Sequence, residues 1–155
     1  MLFGTSGIRG LYGKEVTVEL ASKVGNAIGG KGKKIILCRD TRATSPLLAD
    51  ALAAGAMQSG ADVIDIGVGP TPLLAYVTFI EKCDGAMITA SHNPPEYNGI
   101  KLCRVGAAPV GEQTGLVQIK AAVAEGLLER AEEPGRVEQR EADLQHQRAA
   151  HLRAG

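Results

Sequence analysis

The chain has 155 residues, with 17 Lys and Arg, 17 Asp and Glu, and a formal net charge of zero. This length suits one domain, and the balanced charge argues against a nucleic-acid partner and an acidic tail. With no apolar run of about 18 residues and no signal-peptide pattern at the start, we expect neither a membrane span nor a membrane partner. Cys38, Cys83 and Cys103 lie in or next to apolar runs, which indicates buried thiols and a cytoplasmic location.

Glycine and hydroxyl residues are concentrated at the start of the chain. Residues 3–10 contain three glycines, a threonine and Ser6. Such a loop lets backbone N–H groups approach an anion closely, and Arg9 adds a forked donor that suits phosphate. A glycine-rich turn without a ligand is the alternative interpretation.

Downstream, apolar residues alternate between helical spacing and short continuous runs, which predicts a layered α/β domain. Ser45 before Pro46, and Thr71 before Pro72, indicate helix N-caps with proline at the first helical position. Helices between successive strands favour parallel neighbours, whereas the short link between residues 88 and 100 also permits an antiparallel pair. The predicted helices cover residues 16–28, 45–60, 73–80 and 116–127, and the predicted strands cover residues 35–38, 63–66, 85–88 and 100–103.

A polar turn at residues 39–45 follows the first predicted strand. Ligand sites in open α/β sheets collect at the carboxyl ends of strands, so this turn is a candidate for part of a site. Arg39 and Asp40 are equally well explained as a pair that only orients the loop.

The most informative stretch begins at Thr89, where an apolar run ends. Residues 93–95, Asn-Pro-Pro, stop any regular element, and Asn98-Gly99 predicts a second turn before the chain returns as a strand. Ser91 is thus held on a stiff loop, with His92 beside it, and a returning strand can bring Lys101 back towards it. A hydroxyl, ring nitrogens and an amine in one place suit a nucleophilic or phosphoryl-carrying serine, although a polar surface loop is the alternative.

A serine hydrolase is a competing enzymatic interpretation of Ser91 and His92. Adjacent side chains on an extended loop point apart, so His92 is poorly placed to deprotonate Ser91. The sequence also contains no Gly-x-Ser-x-Gly elbow.

Two stretches together resemble motifs of one known family, the α-D-phosphohexomutases, or phosphoglucomutase/phosphomannomutase family. Its signature loop is similar to Thr89-Ala90-Ser91-His92-Asn93-Pro94 followed by Asn98-Gly99-Ile100-Lys101. Its opening motif is similar to Gly4-Thr5-Ser6-Gly7-Ile8-Arg9-Gly10, and its Pro-Thr-Pro turn to residues 70–72. The resemblance covers residues 2 to about 137, or about the first third of a family enzyme.

The resemblance implies a fold and a set of roles. The fold is a three-layer α/β domain with a mixed, mainly parallel sheet flanked by helices, the first domain of the family. Ser91 would carry a phosphate, Lys101 would be the general acid/base, Arg9 would face the phosphoserine and His92 would lie beside it. Ser6 and Arg42 would bind the substrate or its phosphate. The implied activity interconverts hexose 1-phosphate and hexose 6-phosphate.

The resemblance also implies what this chain needs in addition. The cofactors would be Mg²⁺, which binds Ser91 through its phosphate, and a hexose 1,6-bisphosphate. The remaining metal ligands are absent from this chain. Residues 1–133 would form the phosphoserine domain and residues 134–155 a linker or solvated tail, with His146 and His151 at the surface. The partners would be the hexose phosphate and domains two to four of the same polypeptide, so we expect this chain alone to be inactive. A non-catalytic sugar-phosphate or partner-binding module is the alternative.

Overall fold

A computed structural model describes residues 3–4, 7–126 and 128–140. These residues form seven strands, four α-helices and two short 3₁₀ turns at Val105–Ala107 and Glu112–Thr114. The strands are β1 (Phe3–Gly4), β2 (Gly7–Leu11), β3 (Lys34–Arg39), β4 (Asp62–Val68), β5 (Asp84–Ile88), β6 (Tyr97–Cys103) and β7 (Val137–Gln139). The helices are α1 (Val18–Ile28), α2 (Ser45–Gln58), α3 (Thr71–Glu81) and α4 (Leu116–Glu125).

The seven strands form one sheet in the order β1-β2-β6-β5-β3-β4-β7. Strands β3, β4, β5 and β7 are joined by parallel pairings, while β1–β2, β2–β6 and β5–β6 are antiparallel. Five strands therefore run in one direction and only β1 and β6 run in the other. The predicted mixed, mainly parallel sheet is confirmed, and so is the antiparallel return after β5.

Helices cover both faces of the sheet, which confirms the predicted three layers. Alternate residues of β3 serve the two faces: Ile35 and Leu37 join a core with α1, α2 and α4, whereas Ile36 and Cys38 join a smaller core. In the smaller core, Met87 of β5 packs with residues of α3. Each helix layer therefore buries one face of the same continuous apolar strands, as expected for a doubly covered sheet.

The described residues of the glycine-rich start lie in β1 and β2, and the Asn98-Gly99 pair lies in β6, where the sequence predicted a loop and a turn. A side chain at Gly7 would place its Cβ 2.6 Å from the carbonyl oxygen of Ile100. A Cβ at Gly99 would overlap the carbonyl oxygen of Ile8. These glycines thus allow the backbones of β2 and β6 to approach closely, which is a common reason for glycine inside a strand.

The predicted helix N-caps are wrong by one residue. Helix α2 is capped at Thr44 and α3 at Pro70, neither with a side-chain capping bond. Ser45 is instead the first helical residue, and its hydroxyl donates to Asp40 Oδ1 at 2.6 Å. A side-chain cap is present at Thr17, whose Oγ1 accepts from the Leu20 N–H at 3.1 Å before α1 begins.

The sheet extends beyond residue 133, where the sequence predicted the domain to end. Strand β7 pairs with β4 in parallel, and Arg140 forms an ion pair with Glu81 at 2.7 Å. The amide of Asn26 holds the connection to β7, because it donates to the Glu129 carbonyl at 2.8 Å and accepts from the Glu129 N–H at 2.9 Å. Leu127 and residues 141–155, with His146 and His151, lie outside the described residues.

The described helices are all too short or too polar to cross a lipid bilayer. The thiols behave as expected for residues in or beside the core. Cys38 is buried and Cys83 and Cys103 are partly buried, and all three are free. Burial raises the pKa of Cys38 and of Cys83 to about 11, so both thiols are protonated and unreactive near neutral pH.

Helices α1 and α2 touch backbone to backbone. A Cβ at Gly55 would overlap the carbonyl oxygen of Ser22, and a Cβ at Gly25 would overlap that of Leu52. We therefore expect Gly55→Ala to lower the free energy of unfolding by about 1–3 kcal/mol, the usual cost of overpacking. Denaturant titration measures this. Ala54→Ser, which adds one atom on the exposed side of the same helix, is the control, and equal stability of the two variants would contradict the proposed contact.

Candidate active site

Strands β3 and β5 are parallel neighbours, so their carboxyl ends lie at the same edge of the sheet. The Ser91 loop follows β5 and therefore lies at this edge. The residues that follow both strands therefore meet. The Asp40 N–H donates to the Ile88 carbonyl at 3.0 Å, and the Thr89 N–H donates to the Gly99 carbonyl at 3.0 Å. The turn after β3, the loop after β5 and the start of β6 are thus joined by backbone hydrogen bonds. This is the edge at which open α/β sheets bind ligands.

Ser91 has a left-handed backbone, with φ of +53°. This conformation costs a residue with a side chain about 1–2 kcal/mol, so the surrounding contacts must hold it. The Ser91 N–H donates to Thr89 Oγ1 at 3.0 Å, and the Asn93 N–H donates to the Ala90 carbonyl at 3.1 Å. The loop therefore fixes the direction in which the Ser91 hydroxyl leaves the backbone.

Arg9 contacts the Ser91 hydroxyl directly. It lies on β2 opposite Gly99, and its Nη2 donates to Ser91 Oγ at a long 3.4 Å. Because Ile8 and Ile100 belong to the larger core, the alternation of the strands puts Arg9 and Lys101 on the opposite face, which α3 shares. The side chains of Arg9 and Lys101 therefore lie on the same face of the sheet, and that of Arg9 reaches the Ser91 loop.

The other predicted site residues make no described contact with the Ser91 hydroxyl. Lys101 pairs with Met87 across β5 and β6 and lines a cavity of about 210 Å³ with Leu74, and no hydrogen bond joins it to Ser91 in the described part of the chain. His92 is exposed, and within the same residues it makes no hydrogen bond to Ser91, which gives no support to a serine hydrolase dyad. Ser6 lies outside the described residues.

The Arg42 side chain is more buried and makes more hydrogen bonds to the protein than the sequence predicted. Its side chain is only 14% exposed. Its Nη1 donates to the carbonyl oxygens of Pro94 at 2.8 Å and Tyr97 at 3.1 Å. Its Nη2 donates to those of Ser91 at 3.0 Å and Asn93 at 2.8 Å, and its Nε donates to Asp40 Oδ2 at 3.1 Å. These contacts favour a role in shaping the loop over the direct phosphate contact predicted for Arg42.

Asp40 connects Arg42 to the rest of the site. Its Oδ1 accepts from the Ser45 hydroxyl at 2.6 Å and from the Arg42 N–H at 3.0 Å. Burial alone would raise the pKa of Asp40, but hydrogen bonds from Ser45, Thr89 and the Arg42 backbone, with the charge of Arg42, lower it below 3.8. Asp40 is therefore a carboxylate at neutral pH. Asp40 thus orients the loop as predicted, but its predicted partner Arg39 is wrong, because Asp40 pairs with Arg42 whereas Arg39 pairs with Asp65 at 3.6 Å.

Sequence reasoning missed Asn98, which is completely buried in β6. Its Nδ2 donates to the Thr44 hydroxyl at 2.9 Å and to the Ser45 hydroxyl at 3.0 Å. Through Ser45 it supports Asp40, so it links β6 to the turn after β3. Nothing in the sequence indicated this role, because Asn-Gly is also a typical turn dipeptide.

The described residues contain no ready-made cluster of metal ligands. No group of three or more His, Cys, Asp or Glu side chains that could hold a metal ion occurs among them. Mg²⁺ commonly needs one or two protein carboxylates besides phosphate oxygens. A phosphate on Ser91 alone would therefore leave the coordination of the metal incomplete.

The lowered pKa of Asp40 predicts an acid-dependent stability. The group binds a proton less readily in the folded chain than in the unfolded chain, so its contribution is present above pH 3.8 and is lost as the pH falls through the folded value. We expect Asp40→Asn to be less stable than the original chain at pH 6 and to lose less further stability below pH 4. Denaturant titrations across this range measure both. Asp50→Asn, on the exposed side of α2, is the control. An equal loss of unfolding free energy below pH 4 in Asp40→Asn and in the original chain would contradict the prediction.

Comparisons with known proteins point to one family. Residues 1–129 match the model for phosphoglucomutase/phosphomannomutase, alpha/beta/alpha domain I. A phosphoglucosamine mutase of Thermotoga maritima is 50% identical over 107 residues, which are 67% of this chain and 25% of the relative. A phosphoglucomutase/phosphomannomutase of Thermococcus kodakarensis is 49% identical over 109 residues, or 65% of this chain and 24% of the relative.

Solved structures agree with the sequence comparisons. A phosphoglucomutase/phosphomannomutase family protein of Burkholderia thailandensis superposes with a TM-score of 0.81 at 30% identity, over 94% of this chain and 34% of that protein. The chain thus spans about a quarter of the curated relatives and a third of this structure. With a family model that covers most of its length and the same fold, the chain belongs to the phosphoglucomutase/phosphomannomutase family and contains its α/β/α domain I.

Proposed function

We propose that this chain supplies the phosphoserine of a phosphohexomutase, which interconverts hexose 1-phosphate and hexose 6-phosphate. The main supporting observation is the Ser91 hydroxyl, held in a left-handed turn at the carboxyl edge of the sheet with the Arg9 guanidinium as its partner. The relatives are named for mutases that act on different sugars, so the proposal is limited to hexose phosphates as a class.

In the proposed reaction, a phosphate on Ser91 passes to a free hydroxyl of the bound sugar monophosphate. The bond between phosphorus and Ser91 Oγ breaks and a bond to the sugar oxygen forms, while Lys101 takes the proton of the sugar hydroxyl and passes it to the released Ser91 Oγ. In the second step Ser91 Oγ takes the other phosphate of the bisphosphate, while Lys101 takes the proton of the Ser91 hydroxyl and passes it to the sugar oxygen that is released. Both steps demand correct positioning and stabilisation of charge more than covalent chemistry.

Arg9 is proposed to stabilise the transferring group. A phosphoserine carries about −1.5 to −2 charges at neutral pH. Arg9 lies within hydrogen-bond reach of the oxygen that would carry the phosphate, and a guanidinium can donate two parallel bonds to phosphate oxygens. The proposed role of His92 is to line the solvent side of the phosphate, because it is the exposed neighbour of Ser91.

The complete cycle is proposed to need Mg²⁺ and a hexose 1,6-bisphosphate, with further domains that hold the metal and the distal phosphate. No cluster of three or more His, Cys, Asp or Glu side chains that could hold a metal ion occurs among the described residues, which supports a contribution of ligands from elsewhere. A non-catalytic binding module remains the second candidate. The contact of Arg9 with the Ser91 hydroxyl and the position of Lys101 on the same face of the sheet favour the enzyme, because the proposed reaction needs a charged partner and a proton-transfer residue.

The phosphate-carrier role can be tested in a chimera in which residues 1–126 replace the matching segment of a curated relative. Ser91→Ala should abolish conversion of glucose 1-phosphate to glucose 6-phosphate, because no acceptor oxygen remains, while the fold is kept. Ser22→Ala in α1 is the matched control and should retain full turnover. The isolated 155-residue chain should show no net conversion with Mg²⁺ and glucose 1,6-bisphosphate supplied. Near-normal turnover by Ser91→Ala would overturn the assignment.

The roles of Lys101 and Arg9 can be tested in the same chimera. Lys101→Met should lower the rate at least about a hundredfold, the usual scale of general acid–base catalysis. Arg9→Lys should also be strongly impaired, because lysine keeps the charge but loses the forked pair of donors. Lys23→Met and Arg104→Lys, at exposed ion pairs elsewhere, are the controls. Ordinary rates in Lys101→Met and Arg9→Lys would show that these residues are structural.

A further inference from the structure

We propose that Arg42 is the positioning residue of the Ser91 loop and does not itself bind phosphate. The inference rests on the proposed function, because it concerns how the phosphate-carrying hydroxyl is presented. It is carried by the hydrogen bonds of one guanidinium, whose acceptors extend from Ser91 to Tyr97.

The donors of Arg42 are saturated by the protein. A guanidinium has five N–H groups in a fixed plane. Five side-chain bonds are formed here: one to the carboxylate of Asp40 and four to backbone carbonyls of the loop. A phosphate on Ser91 could recruit Arg42 only if one of these carbonyls lost its hydrogen bond to the guanidinium. Within the described ranges, the Arg9 side chain makes a single long hydrogen bond, to the Ser91 hydroxyl, so Arg9 is the better candidate for a phosphate contact.

The four carbonyls explain why an arginine is needed. They belong to Ser91, Asn93, Pro94 and Tyr97, so the loop curls around the edge of the guanidinium and presents successive oxygens to it. This loop contains two prolines and makes few backbone hydrogen bonds of its own. A lysine has three donors on a single nitrogen and cannot reach four carbonyls that lie around a plane.

Asp40 anchors the guanidinium to the sheet. It binds Arg42 Nε and is held in turn by Ser45, which also accepts from the buried Asn98. A continuous set of hydrogen bonds thus connects β6, the start of α2 and the turn after β3 to the Ser91 carbonyl. That carbonyl belongs to the residue with the left-handed backbone, so the contact bears directly on the direction of its hydroxyl.

The geometry can be measured by NMR in the 155-residue chain, without any catalytic step. The intraresidue amide–α-proton NOE of Ser91 is strong when φ is positive, so it should be strong in the original chain and weaken in both Arg42→Ala and Arg42→Lys. Hydrogen exchange of the Ser91 and Asn93 amides should become at least about tenfold faster in both, while that of Ile36 in β3 stays unchanged, because the loop opens locally. Arg104→Ala, which removes bonds to Asp84 and Thr114 elsewhere, should leave the NOE and all these rates unchanged.

The lysine variant makes the test independent of whether the alanine variant folds. A strong Ser91 NOE and slow loop exchange in Arg42→Lys would overturn the proposal, because charge alone would then be sufficient. In the chimera, Arg42→Lys should lower kcat at least about tenfold and change KM for glucose 1-phosphate by less than about twofold, since Arg42 touches no substrate. A rise in KM with kcat preserved would instead identify a phosphate ligand. If Ser91→Ala retains turnover, the proposed function fails, and the NMR result then decides the structural role of Arg42 alone.

Discussion

The parallel pairing of β3 with β5 is the constraint on which the candidate site depends. It places the turn that begins at Asp40 beside the loop that begins at Thr89, although the two are about fifty residues apart in the chain. The antiparallel return of β6 and its pairing with β2 then bring Lys101 and Arg9 to the same face. No local preference of the loop could assemble these groups, because each comes from a different strand of the sheet.

The apolar runs of β3, β4 and β5 and the apolar stripes of the helices were predictable from the sequence. Strands buried on both faces are continuous apolar runs, and this signal does not depend on distant parts of the chain. Strands β2 and β7 were not predictable in the same way. In β2, the glycines that permit a close backbone approach to β6 also resemble a loop, and the exposed residues of β7 carry no apolar pattern.

The candidate residues could be selected from the sequence, whereas most of their contacts could not. Ser91, Arg9 and Lys101 were found from residue type and motif, and the contact between Arg9 and Ser91 is present in the structure. The functions of Arg42 and Asn98 depend on which carbonyls and hydroxyls face them after folding. A guanidinium that binds phosphate and one that binds four carbonyls have the same sequence signal, since both offer a planar set of donors.

The left-handed backbone at Ser91 restricts the choice of residue at this position. Threonine also has a hydroxyl group and can also carry a phosphate. Its branched Cβ, however, is strongly disfavoured at positive φ, where the γ substituents crowd the backbone. At a backbone angle of +53°, an unbranched hydroxyl residue is therefore favoured on steric grounds alone. The preference for serine over threonine at this position thus follows from the shape of the main chain, before any demand of the chemistry is considered.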